Sequence, residues 1–176
     1  MQVNKGVAMN TNDFTLKKMM STRRAEILNG LRQIKANRDN PPQGQVLYRA
    51  IELLRSQDAD VREEAVAALG LHWQCKEAFP ILLDMLKGHE SDQVVLEIAA
   101  RAVAAYAQID SHDKELALRA LSLVVLNVNY DPELRGIAYL GAERLADKIT
   151  DAQWAQMKED IEKLEVDWSW LRACAN

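Results

Sequence analysis

Apolar residues recur three and four positions apart through most of this sequence, and each run is bounded by residues that cap or break helices. Ile27, Leu28, Leu31 and Ile34 follow Ser21 and Thr22, both good N-cap residues, and the pattern stops at Asn37 to Pro42. The run NPPQG at 40–44 predicts a loop, since proline disfavours helix for the residue before it. Val46, Leu47, Ala50, Ile51 and Leu54 predict the next helix, ended by the stretch 56–60. Val61, Ala65, Ala68 and Leu69 predict another, with Gly70 expected to close it in a left-handed conformation. Phe79, Leu82, Leu83, Met85 and Leu86 form a helix expected to end at Gly88. Asp92 then opens a run through Val95, Ala99, Ala102, Val103 and Tyr106, and Asp113 is expected to cap one through Leu116, Ala120, Leu121 and Val124. Asp131 followed by Pro132 is an N-cap and first-turn pairing before Leu134, Ile137, Ala138 and Leu145. Thr150 and Gln153 have capping-box spacing ahead of Trp154, Met157, Ile161 and Leu164, which predict one amphipathic C-terminal helix. The pattern amounts to about eight helices and no strand.

The runs repeat. Placing Val61, Ala65, Ala68 and Leu69 over Val95, Ala99, Ala102 and Val103 requires one constant shift, and Leu134, Arg135 and Ala138 fall on the same register at a slightly longer one. Three helix pairs with a period in the mid-thirties predict an all-α, right-handed α-solenoid, each pair burying its face against its neighbours. The repeats are expected at roughly 45–72, 76–108 and 113–147, with a C-terminal cap at 150–174. One domain is expected over 21–176, preceded by a flexible or partly helical segment at 1–20. Ala65, Ala99 and Ala138, small residues at matching positions, would let paired helices approach closely.

DADVREEAVAALG followed by EAFPILLDMLKG resembles the HEAT repeat, in the short bacterial variety also called the phycobilisome-lyase-type repeat, over roughly residues 45 to 146. HEAT families often carry an Asp six residues before the Arg of a Val-Arg pair, forming a ladder between repeats. The corresponding positions hold Ser56 before Arg62 and Asn129 before Arg135, so that ladder is not expected here. The resemblance implies a curved surface for binding proteins. HEAT-like enzymes, such as alkylpurine DNA glycosylases and bilin lyases, are the alternative it raises.

Composition narrows these options. Only 7 Gly and 4 Pro in 176 residues leave little turn chemistry for a sandwich or barrel. The formal charge of −4 argues against a protein that coats phosphate backbones. Residues 1–40 hold eight basic side chains against Asp13, Glu26 and Asp39, a surplus of +5, so the rest of the chain carries −9. The basic stretch reads as a solvated helix face or as an arm for an anionic partner. No apolar run approaches the roughly 18 residues a membrane span requires, and the opening MQVNKGVAMNTNDF lacks a secretory apolar stretch, so the cytoplasm is the expected compartment. Cys75 and Cys174 are about a hundred residues apart and read as reduced thiols.

No reactive constellation is legible. His72, His89 and His112 fall near helix ends without a second ligand at i+3 or i+4. His89-Glu90 resembles the His-Glu pairs that bind iron in deoxyhypusine hydroxylases, a family that needs several such pairs where this chain has one. Neither a metal nor a cofactor is expected. A glycosylase-like groove would be basic and aromatic, whereas the second helices offer Glu63, Glu97, Glu133 and Glu143 against Arg101. The expected function is therefore a non-enzymatic protein-interaction module, a small bacterial adaptor or toxin-neutralising immunity protein. Its partner is expected to be a basic protein, not nucleic acid or membrane. The candidate docking row is Glu63, Glu97, Arg101, Tyr139 and Glu143, with Tyr139 as an exposed apolar anchor. Trp168 and Trp170, two apart on a helix, point about 200° away from each other. They are candidates for partner binding or for ordering the tail against the body.

Overall fold

The computed structural model describes residues 11–37, 39–157 and 159–176. The N-terminal hairpin is α1 (Thr11–Met19) and α2 (Arg24–Ala36), so half of the segment expected to be flexible or partly helical is a packed helix. Residues 1–10 lie outside the described residues. Three pairs follow, α3 (Gly44–Leu53) with α4 (Ala59–Val66), α5 (Phe79–Asp84) with α6 (Gln93–Ile109), and α7 (Lys114–Leu126) with α8 (Pro132–Leu145). The chain ends in α9 (Asp151–Gln156) and α10 (Trp168–Ala175), and among the described residues there is no strand.

Helix starts follow local chemistry. The Asp58 carboxylate accepts from the Asp60 and Val61 amides at 3.0 and 3.3 Å, Asp92 accepts from Val95 N–H at 3.1 Å, and Asp131 from Glu133 N–H at 2.8 Å ahead of Pro132. Thr150 and Gln153 form the expected capping box. Two starts differ. Ser21 accepts from the Arg23 amide at 3.1 Å, just outside α2. Asp110 caps a 3₁₀ turn at Ser111–Asp113 that leads into α7, leaving Asp113 without a capping bond.

Gly70 does not end its helix. The chain continues beyond α4 in wide π turns over Ala67–His72, with Gly70 buried inside them. A Cβ at Gly70 would lie 2.7 Å from the Ala102 Cβ, so this glycine serves close approach of the helix to α6, and the left-handed turn falls at Gln74 (φ 46°). Gly88, the expected end of its helix, takes the left-handed conformation at φ 102° within a similar extension of α5 over Met85–His89.

The pairs stack as a solenoid in two layers. First helices α1 and α3 pack together, α10 packs on α7, and the second helices form the series α2, α4, α6, α8. The core runs unbroken between the layers through Leu31, Leu69, Leu82, Leu96, Leu121 and Leu134. Ala65, Ala99 and Ala138 are fully buried, as close helix packing requires.

The first and second repeats are also joined by a buried ion pair that the missing Asp at position 56 did not announce. Arg62 donates through Nε and Nη2 to the two Glu90 oxygens at 2.6 and 2.8 Å, and through Nη1 to the Ser56 and Gln57 carbonyls at 2.8 and 3.1 Å. Glu90 Oε1 also accepts from the Ser91 and Asp92 amides, each at 2.8 Å. The register that overlays Val61 on Val95 places Ser56 on Glu90, so the acid of the rung is supplied by the next repeat. In the third pair Arg135 donates instead to the Val125 carbonyl at 2.9 Å.

Candidate functional site

The second helices α4, α6 and α8 carry the candidate docking row. Glu63 on α4 and Glu97 on α6 are half-buried there, one repeat apart. Gln93 donates to Glu97 Oε1 at 3.1 Å. Burial foremost, joined by the Glu133 and Asp131 charges at the start of α8, raises the Glu97 pKa against the opposing pull of Gln93 and Arg101. Glu133 itself is exposed, and among the described residues no cation forms a salt bridge with Glu63, Glu97 or Glu133.

The rest of the row is covered. The expected C-terminal amphipathic helix is broken after α9. Met157 and residues 159–167 run as a strap, extended at Met157, Asp160 and Leu164 with a single 3₁₀ turn at Ile161–Lys163. The strap crosses α8 at Gly136, where an added Cβ would lie 2.2 Å from the Glu159 carbonyl oxygen. Repeat register sets Gly136 in the place of Glu97 and the fully buried Leu140 in that of Arg101. Ile161 is the strap's buried anchor, and Glu159 meets both Nη atoms of Arg101 on α6.

Tyr139 is therefore not the exposed anchor the sequence suggested. It is 1 % exposed, because the strap and α10 close over it. Its hydroxyl lies 2.7 Å from Glu143 Oε1 and 3.1 Å from the Glu165 carbonyl, which share its single proton, and it accepts from the Asp167 amide at 3.1 Å. Burial above all pushes the phenol up to about 12. Arg101 and Glu143 are likewise engaged within the chain, so the open part of the row is Glu63 and Glu97, extended by Glu133.

The C-terminal tryptophans bind cations of the body. Arg144 stands 5.1 Å from the Trp154 ring centre, Lys148 3.8 Å from that of Trp170, and Arg135 5.9 Å from that of Trp168. Trp170 also meets Tyr139 edge-on at 6.5 Å. Trp170 is thus packed into the cap, while Trp168 keeps 38 % of its surface exposed.

The basic N-terminal stretch is largely matched within the fold. Arg24 donates to Asp58 at 2.8 Å and pairs with Asp60, while Arg32 and Lys35 both pair with Glu64. Its cations fasten α2 onto α4, which a count of charge along the sequence could not reveal.

The remaining candidate chemistry is scattered. His72, His89 and His112 are all exposed, and His89 Nδ1 lies 3.0 Å from Asp84. Glu90 spends its oxygens on Arg62 and two backbone amides, so His89-Glu90 does not present a free carboxylate beside the imidazole. Cys75 is partly buried, and its thiol is pushed up to about 11, first by burial and then by Glu77. At pH 8 only about one Cys75 thiol in a thousand is then ionised. Labelling with a chromogenic disulfide should find Cys75 on the order of tenfold slower than a free cysteine, after allowance for the greater nucleophilicity of a high-pKa thiolate; an equal rate would contradict the burial. Among the described residues, no helix is long and apolar enough to cross a membrane.

Compared with known proteins, the chain matches the family described as HEAT repeats over residues 49–140. No curated protein and no solved structure matches it.

Proposed function

Because the chain belongs to the HEAT-repeat family, we propose that it is a non-enzymatic protein-binding module of the cytoplasm, an adaptor or toxin-neutralising immunity protein, that docks a basic protein on its α4–α6–α8 face. The observation that carries the reading is the state of charge on that face. The strap neutralises Arg101 through Glu159, and Glu63, Glu97 and Glu133 stand without a cationic partner among the described residues. A rigid array presenting carboxylates one repeat apart attracts a basic surface and speeds its encounter, and it repels phosphate backbones. The stacked repeats supply the stiffness, so little ordering is needed when the partner binds.

The experiment is charge reversal. The triple variant Glu63→Lys, Glu97→Lys, Glu133→Lys should keep its helical signal, since exposed or half-exposed substitutions usually change stability by less than about 0.5 kcal/mol each. Glu143 is left out because it accepts the Tyr139 hydroxyl. In quantitative pull-downs from the source organism's extract, proteins recovered by the wild type should be lost from the variant at low salt, and the difference should shrink as salt rises. Equal recovery by both proteins at low salt would overturn docking on this face.

A further inference from the structure

The strap is seated on α8 mainly through its backbone. Gly136 admits the main chain of Glu159 and Asp160 at a distance that any side chain would forbid. Six residues further along, the Tyr139 hydroxyl reads the Glu165 carbonyl and the Asp167 amide. Side-chain selection rests chiefly on the Arg101 fork that grips the Glu159 carboxylate and on the buried seat of Ile161 two residues later, with Leu164 and Val166 partly buried beyond them. Main-chain bonds for affinity with spaced pockets for specificity are how a protein surface holds an extended peptide.

The strap is also lightly held. The preceding helix α9 has no buried residue, and between Asp151 and Trp170 Ile161 is the one buried side chain among the described residues, with Met157, Leu164 and Val166 only partly buried against the core. A segment held by one buried apolar side chain and a few partly buried ones opens locally at less cost than the helices beneath it.

We infer that the channel over Gly136, bounded by Arg101 and Tyr139, is a second binding site, filled in the resting protein by the chain's own strap. Its external occupant is an extended acidic segment of a partner, with a carboxylate for Arg101 and an aliphatic residue two positions later. The chain displays the chemistry of that occupant in cis, and a guanidinium fork suits a carboxylate better than any other side chain. This site lies beside the acidic row and takes the opposite charge, so its failure would leave the charge-reversal test untouched. By holding its own ligand, the site binds in trans only in the fraction of molecules whose strap is open.

The probe is a dye-labelled synthetic peptide of residues 159–169, followed by fluorescence anisotropy against the full chain. The variant Glu159→Ala, Ile161→Ala removes both anchors from the strap and leaves the channel intact. It should bind the peptide at least about tenfold more tightly than the wild type, by removing the self-occupancy. Adding Arg101→Ala should abolish the gain, as should Glu159→Gln in the peptide. Binding no tighter than wild type, binding indifferent to Arg101, or self-association of the variant in place of peptide binding would overturn the inference. Hydrogen exchange of the wild type gives an answer that does not depend on the variant folding. Amides of 159–167 should exchange about a hundredfold or more faster than those in the middle of α8. Equal rates would mean that the strap opens only with the whole fold, and would overturn the inference equally.

Discussion

Replacing Glu90 with alanine is expected to lower the unfolding free energy by about 3 to 5 kcal/mol, the usual cost of stripping one partner from a buried ion pair. The substitution leaves the Arg62 guanidinium, whose side chain is 15 % exposed, with two Nη1 bonds to carbonyls and nothing for Nε or Nη2. It also orphans the Ser91 and Asp92 amides at the entry to α6. Exchanging the pair together, Arg62→Met with Glu90→Leu, should recover most of the loss, because the desolvated charge disappears with its partner. Denaturant unfolding of the two variants against the wild type checks both statements; a loss under about 1 kcal/mol for Glu90→Ala would show the rung to be incidental.

Acid should erase the same difference. Burial alone would raise the Glu90 pKa, but Arg62 and the two amides outweigh it, so the folded-state value is lowered from 4.5. A depressed carboxylate contributes its stability above the unfolded pKa and loses it as pH falls through the folded one. The gap between wild type and Glu90→Ala is therefore expected to be full at neutral pH and to narrow below about pH 4.5.

Gly136→Val is expected to lift the strap and cost about 2 to 4 kcal/mol. Its Cβ would meet the Glu159 carbonyl oxygen at 2.2 Å and carbon at 2.4 Å, and these are backbone atoms that no rotamer change can move aside. Lifting the strap exposes Ile161, worth about 2 kcal/mol, and breaks the Tyr139 bonds, worth about 1 kcal/mol each. A valine in place of glycine returns only a few tenths of a kcal/mol in helix propensity. Thermal unfolding gives the size of the loss. Faster exchange confined to 159–167, with α6 and α8 still protected, identifies its cause. A variant as stable as the wild type would mean that the strap does not lie where Gly136 receives it.

Much of the fold was legible because the information is local. Asp92, Asp131 and Thr150 each act on amides within three residues, so their spacing to the next apolar run places the helix start. The common register of Ala65, Ala99 and Ala138 gave the stacking. Gly70 misled because glycine marks both a helix end and a close contact, and only Ala102, far along the chain, decides between them. Glu63 and Glu97 were placed by repeat register alone.

Arg101 and Tyr139 could not be placed that way, since what covers them arrives from 58 and 26 residues later in the chain. One signal for the break was present. Asp160 and Asp167 are N-cap residues inside what reads as a single amphipathic helix, and each caps a new turn, accepting from Glu162 N–H at 3.1 Å and Trp170 N–H at 3.0 Å. Glu90 was overlooked for another reason: the acid of the rung was sought within the same repeat as its arginine, and it belongs to the next.

Docking on the α4–α6–α8 face is tested most directly by carboxyl footprinting of the protein, free and bound to the partner it captures, with modification at each acid read by mass spectrometry. Glu63, Glu97 and Glu133 should be modified in the isolated protein and shielded in the complex. Glu52 and Glu115, exposed on the first helices α3 and α7, should react equally in both. Shielding of Glu52 and Glu115 with Glu63, Glu97 and Glu133 still fully reactive would contradict docking on the second-helix face.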